Sequence, residues 1–127
     1  MHALVTGGCG FIGSNCLNYF LEKYPEHHFV NIDKLDYCAN EDNVNNYKNY
    51  TFVYGNITNA ALVSRLLSKY SISVVIHFAA QTHVDNSFGN SLHFTRDNVL
   101  GTHTLLECAR EYGNLEQFIH ISTDEVY

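Results

Sequence analysis

Short apolar runs alternate along the chain with stretches in which apolar residues recur every three or four positions. "HALVT" (His2 to Thr6) reads as a buried strand, and beyond a cluster of glycines Ile12, Cys16, Phe20 and Tyr24 fall at helical spacing, with Pro25 as the stop. "HFVNID" (His28 to Asp33) and "YTFVYGN" (Tyr50 to Asn56) form a second and a third strand. The Asn-rich "YCANEDNVNNYKNY" between them (Tyr37 to Tyr50) is weakly patterned and predicts a loop with room for one short helical turn. Thr58 is placed to cap a helix whose apolar stripe is Leu62, Val63, Leu66, Leu67 and Tyr70. "SVVIHFA" (Ser73 to Ala79) is continuous enough for a strand buried on both faces. A long helix follows over Ser91 to Tyr112, with Val99, Thr102, Leu105, Leu106 and Ala109 inward and Gly113 as a left-handed cap. "QFIHIS" (Gln117 to Ser122) is the fifth strand, and His77 and His120, on neighbouring strands, are expected in the core.

Strand and helix repeating with short connections predict an α/β fold: a doubly wound parallel sheet of about five strands, order 3-2-1-4-5, with right-handed crossovers and helices on both faces. No internal repeat or linker divides the chain, so residues 1–127 are read as one domain. Composition changes little. At 46% hydrophobic and 16% charged residues the chain is ordinary globular material, and a net charge of -6 without a basic cluster argues against nucleic acid. The longest apolar runs fall well short of the ~20 residues a bilayer requires, so no membrane partner is expected. Cys9, Cys16, Cys38 and Cys108 lack any C-x-x-C spacing and read as reduced thiols, which suits a cytoplasmic setting. Among eight histidines the best candidate metal pair is His103 with Glu107 at i, i+4, but no third ligand stands at a recognisable spacing, and no metal is expected.

"VTGGCGFIGSN" (Val5 to Asn15) lies between the first strand and the first helix, where a phosphate-binding turn of a Rossmann-type fold belongs. Gly8, Gly10 and Gly13 spell G-x-G-x-x-G; Gly7, Gly10 and Gly13 spell G-x-x-G-x-x-G. In either reading one glycine makes the tight turn, one admits a pyrophosphate to the backbone, and one lets helix and strand approach, while the helix N-terminus offers N–H groups to the anion. Asp33 ends the second strand about 20 residues beyond the last glycine, where an acid can accept from an adenosine ribose. A carboxylate there favours NAD over NADP, with Lys34 alongside as a mild counterweight; the plain alternative is a solvated acid at a strand end.

These segments together with "NIDKLDYCAN", "HFAAQTHVDNSF", "NVLGTHTLLECAR" and "HISTDEVY" resemble the extended short-chain dehydrogenase/reductase family, and within it the nucleotide-sugar 4,6-dehydratases acting on dTDP- or UDP-glucose. The resemblance implies NAD contacts at Gly7, Gly10, Phe11, Ile12, Gly13, Asp33, Lys34, Leu35, Asp36, Asn56, Ile57, Phe78, Ala79, Ala80 and Thr82, the last reaching the sugar nucleotide as well. It further implies that Thr123 orients the C4 oxygen of the glucose, that Asp124 protonates the departing C6 hydroxyl, and that Glu125 removes the C5 proton. Two adjacent acids in different protonation states suit that division of labour. Related epimerases and decarboxylases usually lack the Asp-Glu pair. From residue chemistry alone, "STDEVY" reads equally well as an acidic turn with Ser122 or Thr123 as a cap. Tyr127 is expected to be structural, and His83 and Asp85 to satisfy loop backbone.

The chain departs from the family at Asn56, often an aspartate, and at Cys9, usually a small residue. It also stops before the family's Y-x-x-x-K helix and sugar-nucleotide half. The expectation is therefore an incomplete NAD-binding domain, the N-terminal piece of a longer homodimeric enzyme. By itself the chain should be catalytically silent and prone to association through Phe118, Ile119 and Ile121 on an uncovered edge. A free-standing, non-catalytic dinucleotide-binding or interaction module is the alternative.

Overall fold

Strand β1 (His2–Thr6) is buried from Ala3 to Thr6 because it lies at the centre of a sheet, between β2 (His28–Asp33) and β4 (Val74–His77). β3 (Tyr50–Tyr54) adds beyond β2 and β5 (Gln117–His120) beyond β4, giving the expected order β3-β2-β1-β4-β5 with every pair parallel. The computed structural model describes residues 1–36, 39–79 and 91–122.

Alternate residues of each strand serve opposite layers, as the two-residue repeat of a strand requires. On one face Leu4, Val30, Ile32 and Val75 pack with Val63, Leu66 and Leu67 of α2 (Ala60–Lys69) and, beyond them, with Leu105 and Cys108. On the other, Ala3, Val5, Phe29 and Ile76 pack with Leu17 and Leu21 of α1 (Phe11–Lys23). A sheet covered on both sides explains why the centres of β1 and β4, Ala3 to Val5 and Val74 to Ile76, read as unbroken apolar runs.

The inner face of α1 differs from the expected stripe. Gly13, Ser14, Leu17 and Leu21 are buried, whereas Ile12 stands 57% exposed, Phe20 and Tyr24 line the rim, and Cys16 is half-buried. Close approach at Gly13 sets the phase, and the positions four and eight residues later follow it inward. α2 is capped by Asn59, whose Oδ1 accepts the Leu62 N–H at 3.2 Å; Thr58 instead turns its hydroxyl to Asn56 Oδ1 at 2.9 Å. The expected long helix is three pieces: α3 (Ser91–Thr95), a π-helical turn (Arg96–Leu100) and α4 (Gly101–Tyr112). Val99 and Leu106 are exposed rather than inward, and Cys108 takes a core position. A π turn shifts the phase of the helix, and Gly101 fixes the rest, since a Cβ there would stand 2.8 Å from Ile57 Cδ1. Gly113 caps α4 in the left-handed region, φ 75°.

The Asn-rich segment does more than connect. After a 3-10 turn (Glu41–Asn43), Asn49 donates its amide to the carbonyls of Leu21, Tyr24 and His27, closing the C-terminal end of α1. Asn18 of α1 donates to Asn43 O at 2.9 Å and accepts the Asn45 N–H at 2.7 Å. Side-chain amides here do the work of absent secondary structure.

β5 lies at an edge. Phe118 and Ile119 are half-buried against the two core layers and Ile121 is exposed; His120 is exposed too, correcting its expected core position, because among the described residues its edge strand has no neighbour beyond it. His77 is buried, with Nδ1 2.5 Å from Thr6 Oγ1 and Nε2 2.8 Å from Thr102 Oγ1, joining β1, β4 and α4. No helix among the described residues is long and apolar enough to cross a membrane.

Burial, with the nearby His120 ring adding to it, pushes His77 down from 6.5 to about 4. The unfolded chain binds a proton at this site below about 6.5 and the folded chain only below about 4, so stability falls as pH drops through that window. The loss should total on the order of 3 kcal/mol. Thermal unfolding followed from pH 7 to pH 4.5 should show it, and His77→Gln should give a shallower acid slope; equal slopes would refute the assignment.

Candidate functional site

The glycine turn leaves the C-terminal end of β1 next to the point where strand order reverses, between β1 and β4. Gly7 has φ 72°, and a Cβ on it would stand 2.7 Å from the backbone of Ala79. Its carbonyl oxygen is the hub of the turn: it accepts the Gly10 N–H at 3.3 Å, and a Cβ at Gly13 would come within 2.4 Å of it. Gly7, Gly10 and Gly13 thus meet around one carbonyl oxygen. Gly8 has a separate reason to lack a side chain, since its Cβ would meet the Asn31 amide at 2.5 Å.

Gly10 is different. Among the described residues a Cβ there would have no neighbour nearer than Gly7 O at 3.5 Å, so these residues leave its outer side bare. Gly10 is also the N-cap of α1 and supplies no side-chain cap, and Phe11 and Ile12 beside it are exposed at 81% and 57%. An uncapped helix N-terminus flanked by exposed apolar side chains can receive a negatively charged group together with flat apolar surface.

β2 holds this turn in place. Asn31 and Asp33, two residues apart, project from the same side of the strand. Asn31 Oδ1 accepts the Gly8 N–H at 2.9 Å and Asp33 Oδ2 accepts the Cys9 N–H at 2.9 Å. Asp33 Oδ1 accepts the Leu35 N–H at 2.8 Å, where Leu35 takes the uncommon φ of 56°. The Asp33 carboxylate therefore shapes both sides of the site while each oxygen keeps a second lone pair. Lys34 lies 3.5 Å from Asp36, which balances the cation that stood as a mild counterweight to the preference for NAD over NADP.

The remaining described candidates gather at the same carboxyl edge. Asn56, after β3, is half-buried and uses Oδ1 to accept the Thr58 N–H and hydroxyl. Ile57 is buried against Gly101, so its side chain belongs to the core. Phe78 and Ala79 follow β4 over Gly7, and Thr6 Oγ1 accepts the Ala79 N–H at 3.3 Å. Ala80, Thr82, His83, Asp85, Thr123, Asp124, Glu125 and Tyr127 lie outside the described residues, as does Cys38. Glu107 faces Arg110 at 2.7 Å, and the described residues contain no group of three metal-ligating side chains.

Asn31 and Cys9 are the participants that sequence patterning passes over. The one available signal was a polar residue inside "HFVNID", two positions before the strand-end acid. Cys9 is buried beneath the turn; burial first, and then the Asp33 charge, push its thiol up to about 12. Its carbonyl accepts from Asn40 N–H at 3.1 Å and from the Asn43 amide at 2.9 Å.

A doubly wound parallel sheet with a glycine turn at its switch point and an acid at the end of β2 defines a dinucleotide-binding α/β protein. The chain belongs to the GDP-mannose 4,6 dehydratase family, whose model matches residues 4–127. It is 52% identical to a trifunctional UDP-glucose 4,6-dehydratase/UDP-4-keto-6-deoxy-D-glucose 3,5-epimerase/UDP-4-keto-L-rhamnose-reductase of Arabidopsis thaliana, over 98% of this chain and 19% of that protein. It is 50% identical to the dTDP-D-glucose 4,6-dehydratase of Mus musculus, over 98% of this chain and 36% of that protein. The structure of a dTDP-glucose 4,6-dehydratase from Streptomyces venezuelae, solved with NAD bound, superposes with a TM-score of 0.92 at 41% identity, covering all of this chain and 41% of the other. The chain thus spans between about a fifth and two fifths of the length of these relatives.

The glycines should separate by substitution. Gly7→Ala, strained in φ and in contact, should cost roughly 2 kcal/mol or more. Gly10→Ala should leave the melting temperature within about 2 °C, because its Cβ would meet Gly7 O only at an ordinary contact distance, 3.5 Å. Paired melting curves test this, and equal losses at the two positions would contradict the assigned roles.

Proposed function

We propose that this chain supplies the NAD-binding domain, residues 1–127, of a nucleotide-sugar 4,6-dehydratase that converts dTDP- or UDP-glucose to the 4-keto-6-deoxy sugar. The observation that carries the reading is the bare backbone at Gly10 facing an uncapped helix N-terminus, with the buried carboxylate of Asp33 at the neighbouring strand end. NAD fits these residues. A diphosphate placed at Gly10, Phe11 and Ile12 would receive helix N–H groups. Asp33 would accept from the adenosine ribose with its remaining lone pairs and would repel a 2'-phosphate. Leu35, Asp36, Asn56 and the backbone at Ile57 would border the adenine, and Phe78, Ala79, Ala80 and Thr82 the far half of the cofactor.

NAD supplies the reversible hydride acceptor that makes the dehydration redox-neutral. The chain's own part falls to four residues. Thr123 would orient the C4 oxygen by hydrogen bonding, Glu125 would accept the C5 proton, and Asp124 would deliver a proton to the departing C6 hydroxyl, with Thr82 touching the sugar nucleotide. The reading of Asp124 and Glu125 rests on the family resemblance, and the two acids need opposite protonation states at the moment of reaction. A cytoplasmic setting suits the free thiols of Cys9, Cys16 and Cys108.

Calorimetric titration of the chain with NAD and NADP should show preference for NAD, and Asp33→Ala should weaken NAD at least tenfold. NADP binding as tight as NAD, or an Asp33→Ala variant that binds normally while folded, would sink the cofactor assignment. We further propose a homodimer, supported by Leu92, Val99 and Leu106, exposed at seven-residue intervals along the helical segment 91–112. Sedimentation equilibrium should report a dimer that Leu106→Lys weakens; a strict monomer would end that part of the reading.

A further inference from the structure

Asn31 is fully buried in the second strand of a sheet whose neighbours at that depth are apolar. A buried amide is costly unless its hydrogen bonds are made, and an aliphatic residue would fill the same space without that demand. All its contacts point to one task. Oδ1 accepts the Gly8 N–H at 2.9 Å, while Nδ2 donates to the Tyr50 hydroxyl at 3.1 Å and to Cys9 Sγ at 3.3 Å. Because a backbone N–H can only donate, the oxygen must be the atom that faces Gly8, and the amide has one orientation.

The peptide joining Gly7 to Gly8 is planar and trans, so its N–H and C=O point in opposite directions. With the Gly8 N–H drawn inward to Asn31, the Gly7 carbonyl is driven outward, where it accepts from Gly10 and packs against Gly13. The direction of one peptide plane thus decides whether the turn exists in its anion-receiving form. A flipped peptide would set a carbonyl oxygen against Asn31 Oδ1 and release Gly10.

We propose that Asn31 is a positioning residue that sets the affinity of the glycine turn for a diphosphate, acting through the Gly7–Gly8 peptide and touching no ligand itself. The inference rests on the NAD-binding reading of the site and deepens it. Its neutrality matters as well as its shape: a carboxylate at position 31 could accept the Gly8 N–H but would stand on the same side of β2 as Asp33, close to an anion. Tyr50 fixes the far side of the amide, and burial above all pushes its hydroxyl up to about 12, so it stays protonated.

The test compares ADP with AMP, which share adenosine and differ in the diphosphate, alongside NAD, by calorimetry on the unmodified chain and on Asn31→Leu and Tyr50→Phe, each with a melting curve. For the unmodified chain ADP should bind tighter than AMP. Asn31→Leu should reduce the ADP:AMP affinity ratio at least fivefold while AMP changes less than twofold. Tyr50→Phe keeps the Gly8 bond and should hold the ratio within twofold. Should Asn31→Leu not fold, Asn31→Ser, which also withdraws the oxygen from Gly8, carries the same expectation. An unchanged ratio, or parallel losses of ADP and AMP with a lowered melting temperature, would reduce Asn31 to a structural role and overturn the inference alone. Absence of any ADP or NAD binding by the folded, unmodified chain would overturn the cofactor reading and this inference with it.

Discussion

Two side chains of β2 gripping the backbone of one turn are the constraint on which the rest of this molecule depends. The N–H groups of Gly8 and Cys9 are satisfied by Asn31 and Asp33, and the Gly7 N–H continues the ladder to Ile32 O at 3.0 Å. With three successive donors committed to β2, the chain cannot leave β1 except as a tight left-handed turn, and α1 must start where Gly13 can touch Gly7 O. The phase of α1 follows, and with it the side of the sheet that Leu17 and Leu21 fill. The buried polar groups are tolerable because each has its partners, and a low-dielectric setting makes such bonds strong once complete.

Much of this was legible beforehand because it rests on short-range rules. The sheet order, the glycine turn, Asp33 and the left-handed cap at Gly113 all follow from periodicity and from what glycine permits. What escaped depends on contacts distant in sequence. Ile12, Cys16, Phe20 and Tyr24 formed a persuasive helical stripe, yet the true inner face passes through Gly13 and Ser14, small residues that carry no hydrophobic signal. Val99 and Leu106 were misplaced because a π turn interrupts the helical period and Gly101, packed on Ile57, sets the phase after it. Asn31 left only a faint signal for a similar reason: a single polar residue in a strand does not reveal its partner until the turn it meets is known.

His77 repeats the theme one strand over. It links Thr6 to Thr102, and the same Thr6 hydroxyl accepts the Ala79 N–H where the backbone passes over Gly7. The glycine turn is thus pinned from β2 by an amide and an acid, and its lid of backbone from β4 is pinned through β1 by a hydroxyl. Neutral polar groups carry most of this, with Asp33 the one charged member of the set.

The Asn-rich segment brings a different kind of consequence. One amide nitrogen, on Asn49, serves three carbonyl oxygens at the end of α1. Deamidation would put in its place a carboxylate that can only accept, facing three groups that also only accept. The durability of that corner of the fold is therefore tied to the hydrolytic lifetime of a single side-chain amide.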